Sequence, residues 1–183
     1  MKSVIQNEKS KQFNALALAL VDMPNASLKE IAEACGISKT TLYRFCRTRA
    51  LLVESLENYS INVLKEIMSS AKLMPQEPDK LLRYLSEELL NQQNIILFLN
   101  RFWSDNSDIQ KAELEWLKFM DEIFLNGQKL GVFRIDTPAP VMSDIWINLV
   151  VGLIESERKG RIARTGFIQQ IETAFLHGMS IQN

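Results

Sequence analysis

The residues of this 183-residue chain best suited to chemistry stand close together: Lys39, Thr40, Thr41, Tyr43 and Arg44. On one short helix they form a single outward face, with short polar groups for base edges beside groups suited to phosphates. The chemistry they imply is recognition of a duplex by hydrogen bonding and charge, with no bond made or broken.

Such a face is useful only if neighbouring elements hold it still. Ser38 is placed to cap the helix, and Gly36 can take the positive φ that a three-residue turn needs. Upstream, Ser27, Leu28, Lys29 and Glu30 have the form of a capping box, which starts a preceding helix. Ile31 and Leu42 are spaced to face each other inside, Ala32 is small where the two helices cross, and Ile37 plugs the angle between them. Residues 28–45 therefore read as a helix-turn-helix unit. A helical hairpin with a merely solvated polar face is the alternative. It explains neither the small residue at the crossing nor the local charge, since residues 1–49 carry eight Lys and Arg against four Asp and Glu in a chain whose net charge is −1. That near-neutral total argues against indiscriminate coating of nucleic acid.

Other chemistry has little support. Cys35 and Cys46 lie eleven positions apart and His177 is the one histidine. No metal site, disulfide or cofactor is expected, and the cysteines read as small buried residues in a reducing cytoplasm. Residues 13–21 resemble a signal-peptide core, but Glu8 precedes them, Asn14 interrupts them and no small-residue cleavage site follows. No apolar run approaches the length of a membrane span, so the chain reads as soluble and cytoplasmic with no membrane partner.

The stretch resembles the TetR family of bacterial regulators through Ile31, Ala32, Ala34, Gly36, Ile37, Ser38, Thr41, Leu42, Tyr43, Arg49, Leu51 and Leu52, in order and spacing. It departs where Phe45 stands in place of a frequent histidine, Cys46 in place of phenylalanine and Thr40 in place of glycine. The resemblance implies that Lys39 and Thr40 face base edges while Thr41 and Tyr43 fix the backbone. It further implies that Lys29 reaches in from the second helix and that Arg49 holds a phosphate at the start of the fourth. Ser38 and Arg44 complete the DNA-binding set.

Helical spacing continues to the end of the chain, with no alternating run flanked by hairpin turns, so the fold class is all-α. A three-helix DNA-binding domain over residues 1–50 is expected to precede a larger helical domain over 51–183. Thr48 should cap a fourth helix that Pro75 and Pro78 end, and further helices follow, one over about 108–126. The segment from Gly131 to Asp136 reads as a turn.

The larger domain shows no Ser/His/Asp set, no glycine-rich phosphate loop and no metal spacing, which makes an enzyme a poor reading. Its aromatic density stands out: Phe98, Phe102, Trp103, Trp116, Phe119, Phe124 and Trp146, with Met68 and Met120. These form either plain core or a pocket for a mainly apolar effector. The resemblance favours the pocket. Arg101 is then its polar anchor, or simply a solvent-facing or paired arginine. Two apolar stripes are wider than one inner face requires and predict a homodimer through Met142, Ile145, Leu149, Leu153, Phe167, Ile171, Phe175 and Met179. Gly152 and Gly178 would let those helices approach closely.

The expectation is a homodimeric repressor that binds a near-palindromic operator and is released by a small-molecule effector. A DNA-bound scaffold whose larger domain holds a partner protein, and a ligand carrier with a vestigial DNA motif, stay open at this point.

Overall fold

Capping side chains and apolar residues at helical spacing build nine helices among the residues described by the computed structural model, 2–74, 77–102 and 107–180. They are α1 (Lys2–Asp22), α2 (Leu28–Ala34), α3 (Lys39–Phe45), α4 (Arg49–Lys72), α5 (Pro78–Asn91), α6 (Gln93–Arg101), α7 (Ser107–Lys129), α8 (Ala139–Arg158) and α9 (Phe167–Met179). The only extended pairing among these residues is an isolated antiparallel bridge between Phe133 and Ser180.

Packing divides the chain later than the motif does. One unit comprises Met1–Val63 with Gln92–Ser104, and the other comprises Leu64–Asn91 with Asp105–Asn183. The first unit thus reaches into α4 and takes in α6. The cause is the apolar content of α6: Ile95, Ile96, Leu97, Phe98 and Leu99 are all buried, and α6 packs along α1, whose Leu16, Ala17, Ala19, Leu20 and Val21 are buried too. The stretch that superficially resembled a signal sequence is thus a core stripe. Phe13 of α1 stacks on Tyr59 of α4 at 4.5 Å, and the Tyr59 hydroxyl donates to Ser10 Oγ at 3.0 Å.

In the second unit α5 packs on α7, α8 and α9, and α7 runs beside α8. Trp146, Phe124, Phe133, Phe167 and Phe175 fill its centre, with the Phe124 ring 5.4 Å from Phe133 and 5.5 Å from Phe175. Buried hydroxyls are satisfied: Ser143 donates to Asp121 Oδ1 at 2.6 Å, and Ser86 to the Leu82 carbonyl at 2.8 Å. The expected turn at Gly131, with φ +71°, fastens the end of α7 to the end of α9. Arg134 N–H donates to the Met179 carbonyl at 2.9 Å, and its guanidinium reaches the Gly178 carbonyl at 3.2 Å while pairing with Asp136.

One expectation needs correction. By length and composition α8 is apolar enough to cross a membrane. Met142, Trp146, Val150 and Ile154 bury one face of it in the second unit, while Val141 and Ile145 stand out on another at 44% and 40% exposure. Apolar residues on two faces, rather than one, raise its hydropathy.

Gly127 decides how α7 meets the turn. A Cβ there would lie 2.2 Å from Phe133 Cδ2, in a ring that is fully buried, and the backbone N–H groups of Val132 and Phe133 both donate to the Gly127 carbonyl. Alanine ordinarily favours a helix over glycine by about 1 kcal/mol. Here Gly127→Ala should instead destabilise the protein by about 1–3 kcal/mol, the usual cost of overpacking, as read from the midpoint of chemical denaturation. Unchanged or raised stability would show that Phe133 is free to move.

Candidate nucleic-acid interface

The helix-turn-helix is assembled by short-range hydrogen bonds. At the start of α2, Glu30 accepts from the Ser27 N–H and hydroxyl, both at 2.7 Å, and returns its own N–H to Ser27 Oγ at 3.4 Å. These bonds, the side-chain one foremost, hold the Glu30 carboxyl below its ordinary range. At the end of α2 the Gly36 N–H donates to the Glu33 carbonyl at 3.1 Å and the Ile37 N–H to the Ala32 carbonyl at 3.0 Å. This is a Schellman closure, and it needs the left-handed φ of +65° that Gly36 adopts. Ser38 Oγ then accepts the Thr41 N–H at 3.0 Å and starts α3. Ile31, Ala32 and Leu42 are buried between the two helices, as their spacing predicts.

The predicted contact residues fall into three groups. Lys39, Thr40, Tyr43 and Arg44 are exposed on α3. The Lys39 ammonium lies 5.2 Å from the Tyr43 ring centroid, one helical turn on, so base reading by Lys39 requires it to leave that ring. Ser38 and Thr41 form the cap, their hydroxyls 2.7 Å apart, and Thr41 is half-buried. Lys29 is exposed on α2 and sits 3.7 Å from Glu33. Arg49 differs from both the exposed and the capping residues: it is half-buried, with its guanidinium donating to the Pro24 carbonyl and lying over the Phe102 ring at 5.9 Å. Arg47, to which the sequence pattern attached no role, is exposed in the link between α3 and α4. The cue lay in its position beside Thr48, whose Oγ1 accepts the Leu51 N–H at 3.2 Å and caps α4.

The thiols of Cys35 and Cys46 are both free, and burial raises both above the ordinary thiol range. Among the described residues no group of His, Cys, Asp and Glu could hold a metal ion.

The aromatic residues expected to line a pocket are shared between the two units. Phe98 and Phe102 stack on each other at 5.0 Å within the first unit, whereas Met68, Trp116, Phe119, Met120 and Trp146 are buried in the second. Trp103 lies outside the described residues. Arg101 is exposed at the end of α6. Within the second unit, a cleft of about 290 Å³ is lined by Lys72, Pro78, Leu81, Phe119, Glu122, Ile123 and Asn126, with the Lys72 ammonium 5.7 Å from the Phe119 ring centroid. Of the residues expected at a dimer contact, Met142, Phe167, Ile171 and Phe175 are buried in the core of the second unit, while Leu149, Leu153 and Met179 are half-exposed and Ile145 is exposed.

No family model matches the chain. The HTH-type transcriptional regulator NfxB of Pseudomonas aeruginosa is 42% identical to it over 172 residues, 92% of either protein. Among solved structures, apo AibR aligns with a TM-score of 0.70 at 18% identity, over 92% of this chain and 98% of that one. The TetR-like regulator LfrR from Mycobacterium smegmatis, in complex with proflavine, aligns with a TM-score of 0.70 at 19% identity, over 98% of this chain and 99% of that one. AibR in complex with isovaleryl coenzyme A and operator DNA gives 0.68 at 17%, over 94% and 97%. With its exposed α3 held by a serine cap and a glycine turn, and with near-complete coverage of a 42% identical regulator, the chain belongs with NfxB to the HTH-type transcriptional regulators, and its fold is that of the TetR-like regulators.

Proposed function

We propose that this DNA-binding regulator acts as a homodimeric repressor whose two α3 helices enter successive major grooves of a near-palindromic operator. The observation that carries the reading is the exposed face of Lys39, Thr40, Tyr43 and Arg44 on a helix whose start is capped by Ser38 and whose Leu42 is buried against α2. Two-fold symmetry then sets the α3 helices about 34–36 Å apart, one turn of the duplex. Nothing in this activity calls for a catalytic group, and a DNA partner puts the protein in the cytoplasm.

The second copy is expected on the outer face of α8. Val141 and Ile145 are exposed there, Leu149 and Leu153 are half-exposed, and Gly152 has no atom within 4 Å of where a Cβ would stand. A two-fold contact through such a stripe is self-complementary. The effector is expected in the cleft beside Phe119. Its size sits near the lower end of the roughly 300–1,000 Å³ typical of small-molecule sites. That AibR was captured with an acyl coenzyme A and LfrR with proflavine supports a ligand-responsive reading.

Base-reading and backbone-holding residues separate by experiment. Lys39→Ala and Thr40→Ala should cost about 1–3 kcal/mol on the cognate duplex and little on a scrambled one, whereas Tyr43→Phe should weaken both alike. Binding titrations on the two duplexes decide it: full discrimination by the Lys39 and Thr40 variants would remove them as base readers. For the dimer, Gly152→Leu should weaken self-association at least tenfold in sedimentation while each subunit stays folded. A parent protein found only at 21.0 kDa at micromolar concentration would exclude the dimer. For the effector, compounds that release the parent from DNA should be needed at several-fold higher concentration with Phe119→Leu. An equal loss of DNA binding would point to misfolding of that variant instead.

A further inference from the structure

We infer that Arg49 is a positioning residue that ties three segments of the DNA-binding unit together, and that the phosphate-contacting charge at the start of α4 is Arg47. The inference rests on α3 being the DNA-facing helix. Arg49 opens α4, yet its guanidinium points back into the unit. One of its terminal nitrogens donates to the Pro24 carbonyl, in the turn between α1 and α2, and its Cζ lies 5.9 Å from the centroid of Phe102, at the end of α6. Phe102 in turn stacks on Phe98, a fully buried ring, at 5.0 Å and 18°. The Arg49 Nε is itself buried, with no hydrogen-bond partner among the described residues.

A guanidinium in this arrangement is poorly placed to hold a phosphate. Turning outward would break a charge-assisted hydrogen bond and uncover the Phe102 ring, and an Arg–Phe contact of this kind depends on a flat cation. What the contact does is join the start of α4 to a carbonyl three residues before the Ser27 cap of α2. Helix α3 lies between those two points in the chain, so its bearing depends on both. Arg47 has the complementary properties. It is exposed, it makes no ion pair or hydrogen bond among the described residues, and its backbone is pinned on either side. Before it the Cys46 N–H closes α3 on the Leu42 carbonyl at 2.9 Å, and after it Thr48 caps α4. The two arginines, two positions apart, thus divide structure and charge between them.

The salt dependence of binding separates the two roles, because each neutralised phosphate adds about 0.9 to the slope of log affinity against log salt. Full-length parent and variants are titrated with cognate and scrambled duplexes over a range of salt. Arg47→Ala should lower the slope by about 0.9 per subunit on both duplexes, with their affinity ratio kept. Arg49→Ala and Arg49→Lys should both lose roughly tenfold or more in cognate affinity, the worth of one charge-assisted hydrogen bond, with the slope unchanged. Phe102→Leu removes the ring under Arg49 without touching charge and should show the same loss at the same slope. It also covers the case in which the Arg49 variants do not fold, which circular dichroism would reveal. If Arg49→Lys binds like the parent while Arg49→Ala lowers the slope by about 0.9, Arg49 is the phosphate ligand and the assignment is overturned. It is likewise overturned if Arg47→Ala leaves the slope unchanged. A parent that binds neither duplex at low salt would overturn the DNA reading itself, and this assignment with it.

Discussion

The left-handed conformation of Gly36 is the constraint on which the exposed polar face of α3, the proposed DNA-facing surface, depends. With φ at +65°, it lets the last carbonyls of α2 be met by the Gly36 and Ile37 amides, and the chain leaves in the one direction that brings Ser38 to the start of α3. No atom lies within 4 Å of a Cβ built at Gly36, so the requirement is conformational rather than steric. A side chain would fit the space but strain the backbone. Once the turn is set, Ile31, Ala32 and Leu42 bury each other, and the polar residues of α3 have only the outward side left to occupy.

Holding α3 against α2 does not yet hold the pair against the rest of the unit. That is done at longer range, by α6 lying along α1, by Phe13 stacked on Tyr59, and by the Arg49 guanidinium between Pro24 and Phe102. Each ties segments that are distant in the chain. The first unit therefore extends beyond the three-helix motif: it includes the first part of α4 and all of α6 because two adjacent apolar stripes, on α1 and α6, need each other to leave water.

The second unit manages a different balance. Its core is dense in aromatic rings and its buried hydroxyls are spent on helix carbonyls and on Asp121, so little polar capacity is left unsatisfied inside. Apolar surface remains on the far side of α8, where Val141 and Ile145 face outward. An apolar face continuous along a long helix is costly to leave in water, which gives the proposed contact between copies its driving force.

The sequence by itself determined the elements whose causes are local. Serine caps, the glycine turn and apolar spacing act within about one helical turn. For that reason the bounds of α2 and α3, the capping box at Ser27 and the outward set on α3 were legible residue by residue. The all-α class followed from the same periodicity extended along the chain. Tertiary structure decided what depends on partners far away in the chain. Arg49 is claimed by a carbonyl 25 residues earlier, α6 is drawn to α1, and Arg101 at its end faces solvent. It also decided which apolar residues of α8 and α9 are core: Met142, Phe167, Ile171 and Phe175 are buried within the second unit, and the exposed or half-exposed Ile145, Leu149 and Leu153 are not. A periodic pattern says that a helix has an apolar face, but the neighbour that covers that face is set by packing, and packing partners leave no mark at fixed spacing in a single chain.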